Sequence, residues 1–330
     1  MDTSTSYLGL PLPHPFIAGA SPMGYSLDRI KSLEDAGCAA VVLHSLFEEQ
    51  VSLAREGHIG RLDPLEPRFA DVLAHYPKSG SYRYGPDEYA NHIVHVKDAV
   101  GIPVIASLNG HSGASWLKFA RVIEQARPDA LEFNFYDVET SLSTGAAAVE
   151  EHLVSAVRNL ATALAIPVAV KLTPYYTAFG HLASQLGEAG AAGLVLFNRF
   201  YQPDIETRTM EMVPQAELST NAELPLRLHW LALLHGRVPL SLAASGGVST
   251  PDDGIKAIVA GADAVQLVSA LLRHGPSHIG AMREGLERWL EWQKIESVAA
   301  MRGRASLSRS ADPAAFERAH YIRTLQSWMR

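Results

Sequence analysis

The sequence predicts an α/β chain folded as one (β/α)8 barrel, with long insertions after the second and sixth strands. Three observations predict it. Eight short segments rich in Val, Ile, Leu, Phe and Ala recur along the 330 residues. Each is nearly continuous in apolar residues, as a strand buried on both faces should be. Amphipathic helical patterns lie between them, and such alternation builds a parallel sheet that closes into a barrel at eight strands. Polar or glycine residues end all eight segments, at the face where barrels gather their loops.

The first strand falls on 15–21 (PFIAGAS) and leads to a helix over 27–36. The second, 39–45 (AAVVLHS), opens a connection over 46–85 that is too long for a simple loop. It carries Phe47, Glu48, Glu49, Arg55, Tyr76, Tyr82, Arg83 and Tyr84. Helix 86–100 precedes the third strand, 103–109 (PVIASLN), and helix 115–126 the fourth, 130–136 (ALEFNFY). Helix 147–165 precedes the fifth, 167–173 (PVAVKLT), and helix 179–189 the sixth, 193–199 (GLVLFNR). A second long connection, 200–225, holds Tyr201, Gln202, Asp204 and Arg208. Both long connections read as rim and lid structure. Helix 226–235 and the seventh strand, 240–247 (LSLAASGG), follow. Ser249-Thr250-Pro251-Asp252 reads as a cap with proline in the first turn of a helix over 251–260. The eighth strand covers 264–270 (AVQLVSA). A helix near 276–293 and a polar extension from about 294 complete a single domain, 1–330. An open doubly wound sheet would favour a Gly-x-Gly-x-x-Gly turn after the first strand, and Gly19-Ala-Ser-Pro-Met-Gly24 is not one.

Composition narrows the function. Apolar residues make up 47% and charged residues 19%, enough for a large core. A net charge of -7 argues against general affinity for nucleic acid. It leaves room for a small anion, which a single loop can bind. The one cysteine, Cys38, excludes a disulfide within the chain, reads as a small apolar residue and suggests a reducing cytoplasm. The first residues lack the basic and apolar regions of a signal peptide, and no apolar run reaches the ~18 residues of a membrane span. No metal-ligand pattern stands out.

The strand-end residues form one candidate site: Ala20 and Ser21, His44 and Ser45, Ser107 and Asn109, Asn134 with Asp137, Lys171 with Thr173, Asn198, Ser245-Gly246-Gly247, and Val268-Ser269-Ala270. The last two groups close the seventh and eighth strands, where barrels build a phosphate site from backbone N–H groups. The glycine pair lets the backbone approach closely. Lys171 lies within an apolar strand, and burying it needs an anionic partner. It is open to three readings: a Schiff-base lysine, a charge opposite a group that becomes anionic, or an ion pair with Glu132 on the fourth strand.

These stretches carry a resemblance. The chain is similar to the dihydroorotate dehydrogenase family of FMN-binding barrels over about residues 6–290. The resemblance rests on 7–16 (YLGLPLPHPF), 19–22 (GASP), 131–134 (LEFN), 170–175 (VKLTPY), 244–248 (ASGGV) and 261–267 (GADAVQL). It implies FMN as cofactor and hydride transfer from a small organic substrate to flavin N5. It implies that Ala20 and Ser21 lie along the isoalloxazine and that Ser45, Asn134 and Lys171 contact the ring. Asn198 would sit beside substrate and ring, and Gly246, Gly247 and Ser269 would hold the phosphate. Ser107, Ser245 and Val268 join the cofactor contacts, and Asn109 and Glu139 join Asn198 on the substrate side. Lys171 would stabilise reduced flavin, whose negative charge develops at N1 and the C2 carbonyl.

The substrate side departs from the family pattern. The family's Asn-x-Ser-Cys-Pro-Asn run, with Cys or Ser as base, is Asn134-Phe-Tyr-Asp137-Val-Glu139 here. The base position falls on Asp137, and Glu139 puts a negative charge where the family accommodates a carboxylate substrate. The family's lysine at the end of the second strand is His44, and its asparagine-rich orotate loop is replaced near Tyr84-Gly85-Pro86. Asp137 or His44 is the candidate proton-transfer group. The expectation is an FMN-dependent oxidoreductase acting on a substrate other than dihydroorotate. An authentic dihydroorotate dehydrogenase of pyrimidine biosynthesis, a Schiff-base lyase using Lys171, and a flavin-binding subunit without turnover stay open beside it. By analogy with the family, the chain is expected to form a homodimer. A separate electron-transfer partner is also allowed, since one cysteine cannot ligate an iron–sulfur cluster.

Overall fold

The computed structural model describes residues 1–50, 85–110, 116–200, 202–213 and 217–327. The expected rim residues Arg55, Tyr76, Tyr82, Arg83, Tyr84 and Tyr201 lie outside these segments.

Eight parallel strands close the barrel. They are β3 (Phe16–Ala18), β4 (Val41–Phe47), β5 (Val104–Gly110), β6 (Ala130–Phe135), β7 (Val168–Leu172), β8 (Gly193–Leu196), β11 (Ser241–Ser245) and β12 (Ala264–Leu267), and β12 pairs back onto β3. All eight overlap the segments read from sequence. Around them stand α1 (Leu27–Asp35), α2 (Pro86–Ala99), α3 (Trp116–Gln125), α4 (Ala146–Ala163), α5 (Phe179–Glu188), α6 (Leu224–Leu234) and α7 (Pro251–Ala260). Thr250 caps α7 by accepting from the Asp253 N–H, with Pro251 in the first turn, as its sequence dictates.

The sequence reading missed several smaller elements. A hairpin of β1 (Thr5–Tyr7) and β2 (Leu10–Leu12) plugs the N-terminal mouth of the barrel. Its Tyr7, Leu8 and Leu12 pack on the inward residues Ile17, Val42, Ile105, Ala169, Val195 and Ala243. The connection after β8 contains a second hairpin, β9 (Asp204–Glu206) with β10 (Glu211–Val213). The eighth strand stops at Leu267, not Ala270. The chain turns at Val268 into a short helix, α8 (Ser269–His274), before α9 (His278–Gln293). The polar extension is helical in part, with α10 (Val298–Met301) and α11 (Pro313–Ser327), and α11 buries none of its residues. No described helix is long and apolar enough to cross a membrane.

A bulge in β4 decides what faces the barrel interior. Val42 pairs with Ile105 and Ser45 with Ser107, so three steps on β4 oppose two on β5. The extra residue turns Ser45 inward, 2.7 Å from Ser107 Oγ, and turns His44 outward. His44 stacks on Tyr25 at 3.8 Å and meets the edge of Tyr89 at 4.9 Å. Tyr89 pins the bulge. Its hydroxyl donates to the His44 carbonyl at 2.9 Å and accepts the Ser107 N–H at 2.9 Å. Cys38 is buried, and burial pushes its thiol up to about 11.

His14 is a buried neutral imidazole at the start of the barrel. Its Nε2 donates to the Gly37 carbonyl at 2.7 Å, and its Nδ1 accepts the Phe16 N–H at 3.2 Å, which fixes the neutral tautomer. Burial, the largest cause, lowers its pKa to about 4. A folded pKa below the unfolded value means stability that is present above pH ~6.5 and lost as pH falls toward 4. The loss should be about 3 kcal/mol over that window. Urea unfolding at several pH values should show this slope in the native protein and a shallower one in His14→Gln.

Candidate functional site

Alternation along the strands sends Ser45, Ser107, Asn109, Glu132, Asn134, Lys171, Ser245 and Gln266 to the inside, above the apolar layer that ends at Ile105, Ala130, Ala169, Ala243 and Ala264. Three of them close a buried triangle. Lys171 Nζ donates to Glu132 Oε1 at 3.1 Å and to Gln266 Oε1 at 3.2 Å, and Gln266 Nε2 donates to Glu132 Oε2 at 2.5 Å. Lys171 is 6% exposed and Glu132 1%. An ammonium has three N–H donors, so one remains for a ligand.

That donor is available to a cavity of about 170 Å³ lined by Lys171, Ala20, Asn198, Ser245, Gly246, Val268 and Ser269 of the set read from sequence. Asn198 Nδ2 donates to Asn134 Oδ1 at 3.0 Å, tying the ends of β6 and β8 together above Lys171. Asn109 stands in register with Asn134, on the strand-end row that continues to Lys171. Ser21 is used locally. Its hydroxyl caps the 3-10 turn Pro22–Tyr25 by accepting from Met23 N.

At the far end of the cavity Gly246 and Gly247 have φ of +85° and +82°, a conformation that favours glycine. A Cβ on Gly247 would lie 2.6 Å from Leu224 N. The Gly247 N–H donates to Ser219 Oγ at 3.2 Å, and Ser219 Oγ donates to Ser269 Oγ at 2.9 Å. These groups fit a phosphate. A glycine turn whose backbone admits no side chain and the hydroxyls of Ser219 and Ser269 come together at the seventh and eighth strand ends.

Sequence reading did not single out Ser219, Glu223 or Arg227. Arg227 is 5% exposed. Its Nε donates to the Ser245 carbonyl at 3.0 Å and its Nη1 to the Glu223 carbonyl at 2.9 Å, so it braces the glycine turn from behind. Burial pulls its pKa down, and Glu223 opposes that shift. Glu223 also pairs with Arg199. The available signal was a lone arginine in the apolar run Leu-Pro-Leu-Arg-Leu, the same cue that marked Lys171.

Several expected site residues stand apart from this cavity, among them His44, Asp137, Glu139 and Thr173. His44 faces the layer of Tyr25, Tyr89 and His92, with Nδ1 3.2 Å from the Gly24 carbonyl. Asp137 and Glu139 line a second cavity.

Fold and site together define a closed eight-stranded parallel barrel with a pocket at the ends of its seventh and eighth strands, lined by a buried lysine. The particular relationship follows from comparison. A sequence profile described as dihydroorotate dehydrogenase matches residues 53–290. The chain belongs to the dihydroorotate dehydrogenase family. It is 26% identical over 310 residues to a dihydroorotate dehydrogenase B (NAD(+)) catalytic subunit of Methanothermobacter thermautotrophicus, covering 91% of this chain and 97% of that one. A protein of the same description from Endomicrobium trichonymphae is 22% identical over 317 residues, covering 94% and 99%. The NAD-dependent dihydropyrimidine dehydrogenase subunit PreA of Escherichia coli K12 is 22% identical over 331 residues, covering 92% and 77%.

Gly247→Ala should strain the turn and push on Leu224, costing about 1–3 kcal/mol of stability. It should also weaken binding of a phosphate-bearing ligand at least ~10-fold, because a displaced turn moves the Ser219 and Ser269 hydroxyls and loses about one charge-assisted bond. Thermal melts and a phosphate-ligand titration check both.

Proposed function

We propose that the protein is an FMN-dependent oxidoreductase that takes hydride from a small organic substrate other than dihydroorotate. The observation that carries the reading is one cavity lined by Lys171 and by a cup of Gly246, Ser219 and Ser269, with Gly247 bonded to Ser219. Family membership supports it, since the relatives are named as dehydrogenases.

Bound there, FMN would supply a two-electron acceptor. The chain's own groups do the rest. The cup holds a phosphate with hydroxyl donors, and Arg227 keeps the glycine turn in shape. Lys171 presents a fixed positive charge to a ring edge that gains negative charge. Glu132 and Gln266 hold that ammonium in one position, so no reorganisation is needed when charge develops. Asn134 and Asn198, locked by their mutual hydrogen bond, orient a substrate. Asp137 accepts the substrate's proton at a carboxylate oxygen. The ion pair with Glu132 argues against Lys171 as a Schiff-base nucleophile, because its nitrogen is engaged by Glu132 and Gln266.

Glu139 disfavours a carboxylate substrate by like-charge repulsion. A homodimer, a separate electron-transfer partner and a cytoplasmic setting belong to the same proposal. So does His44 in a supporting role, through the Pro22–Tyr25 turn it packs against.

The test is anaerobic reduction of the FMN-loaded protein. The expected result is a flavin spectrum that dihydroorotate bleaches slowly or not at all. With an active donor, Lys171→Ala should slow bleaching about 10²–10³-fold, the usual cost of losing a charge that stabilises the transition state. A protein that gains no flavin band with added FMN ends the reading. Rapid bleaching by dihydroorotate ends the claim about substrate.

A further inference from the structure

The second cavity, about 340 Å³, opens beside the first and is built from the segments that follow β6, β7 and β8. Its volume lies within the range of small-molecule sites. Asp137, Glu139 and Glu150 line it, and none of the described residues lining it is basic. Among the described residues Glu139 accepts one hydrogen bond, 2.7 Å from Ser141 N, and Glu150 pairs with no cation. Two carboxylates on the wall of one cavity favour a cation there.

Two independent features point to a ligand. Thr173, at the end of β7, is 6% exposed and lines the cavity, yet its hydroxyl has no hydrogen-bond partner among the described residues. The hydroxyl is open to the cavity, where a ligand's polar group can bond it. The walls are aromatic: Tyr175 and Tyr176 from the loop after β7, and Phe200 from the loop after β8. Tyr175 and Phe200 meet edge to face at 4.5 Å, a rigid pair that presents a ring to the cavity. Burial, with the fields of Asp137 and Glu150, pushes the Tyr176 hydroxyl up, as a negative local potential requires.

Carboxylates and aromatic faces, with no basic residue among the described lining, favour an organic cation. Charge attraction and the ring quadrupoles act in the same direction. A bare metal ion would leave most of 340 Å³ and the aromatic walls unused. We propose that this cavity binds an ammonium or amidinium group of the substrate, with Glu139 and Glu150 on the charge and Phe200 and Tyr175 against its carbon frame. The assignment to the substrate rests on the oxidoreductase reading above; the cation site itself does not. It also gives Glu139 a purpose, since the charge that repels a carboxylate attracts a cation.

The FMN-loaded protein should be titrated by calorimetry with benzylamine, benzyl alcohol and benzoate, three probes of one shape and different charge. Benzylamine should bind at least tenfold tighter than the alcohol, and benzoate weakest. Glu150→Gln, and separately Glu139→Gln, should each cut the preference for the amine about fivefold or more at unchanged flavin content and melting temperature. Equal binding of amine and alcohol, tighter binding of benzoate, or full preference retained in both variants would overturn the proposal. A protein that takes up no flavin yet keeps the amine preference and its loss in the variants would support the cation site and defeat the oxidoreductase reading alone. A flavin-loaded protein that ignores the amine does the reverse.

Discussion

The triangle of Lys171, Glu132 and Gln266 is the interaction on which the upper half of the barrel depends. Placing an ammonium and a carboxylate in a closed interior costs several kcal/mol per ion, and their attraction repays this only with good geometry and further hydrogen bonds. Gln266 supplies those bonds. It accepts from Lys171 and donates to Glu132 on the opposite side. The three residues come from β7, β6 and β12, so the triangle also fixes the relative height of strands that are not all neighbours. Below it, small apolar residues such as Ala130, Ala169, Ala243 and Ala264 let the Tyr7–Leu12 hairpin seal the barrel floor. Above it, one ammonium donor faces the cavity. The floor makes the site dry, and the triangle makes its charge immobile.

The same constraint explains the division of the C-terminal face. The first cavity gathers Lys171, Arg199, Arg227 and the Ser219 and Ser269 hydroxyls, beside Glu217 and Glu223. The second gathers Asp137, Glu139 and Glu150. Asn134 and Asn198, bonded to each other, carry no net charge and belong to the strands from which both cavities extend. The two cavities therefore differ in the groups they offer: cations and hydroxyls line the first, and no basic residue is among the described residues lining the second.

Much of this was legible in the sequence because the cost of burial is legible. Strands covered on both faces must be continuous in apolar residues, so all eight appeared as runs. Lys171 stood out because a charge in such a run needs a partner, and Glu132 was the partner available on the next strand. The glycine pair at 246–247 marked a turn that side chains do not tolerate, and the structure gives both residues positive φ. What escaped was set by geometry that composition does not record. AAVVLHS reads the same with or without a bulge, yet the bulge exchanges His44 for Ser45 on the inner face. The short strands of the two hairpins are too brief to show alternation. Ser219 sits far along a long connection, and its role follows only from where Arg273 anchors the Leu218 and Ser219 carbonyls, at 3.0 and 2.9 Å.

His44 shows how a family pattern can persist in position while its chemistry changes. The residue follows the same strand as in the family resemblance, but Tyr89 holds its carbonyl and Tyr25 covers its ring. A lysine would not be accommodated well in that aromatic layer, because its charge would lose hydration without gaining a carboxylate. The departure at His44 removes a cation, and those at Asp137 and Glu139 add acids on the segment after β6, while Lys171 stays held in its buried triangle. A family pattern kept around Lys171 therefore does not specify the molecule that the other side of the face accepts.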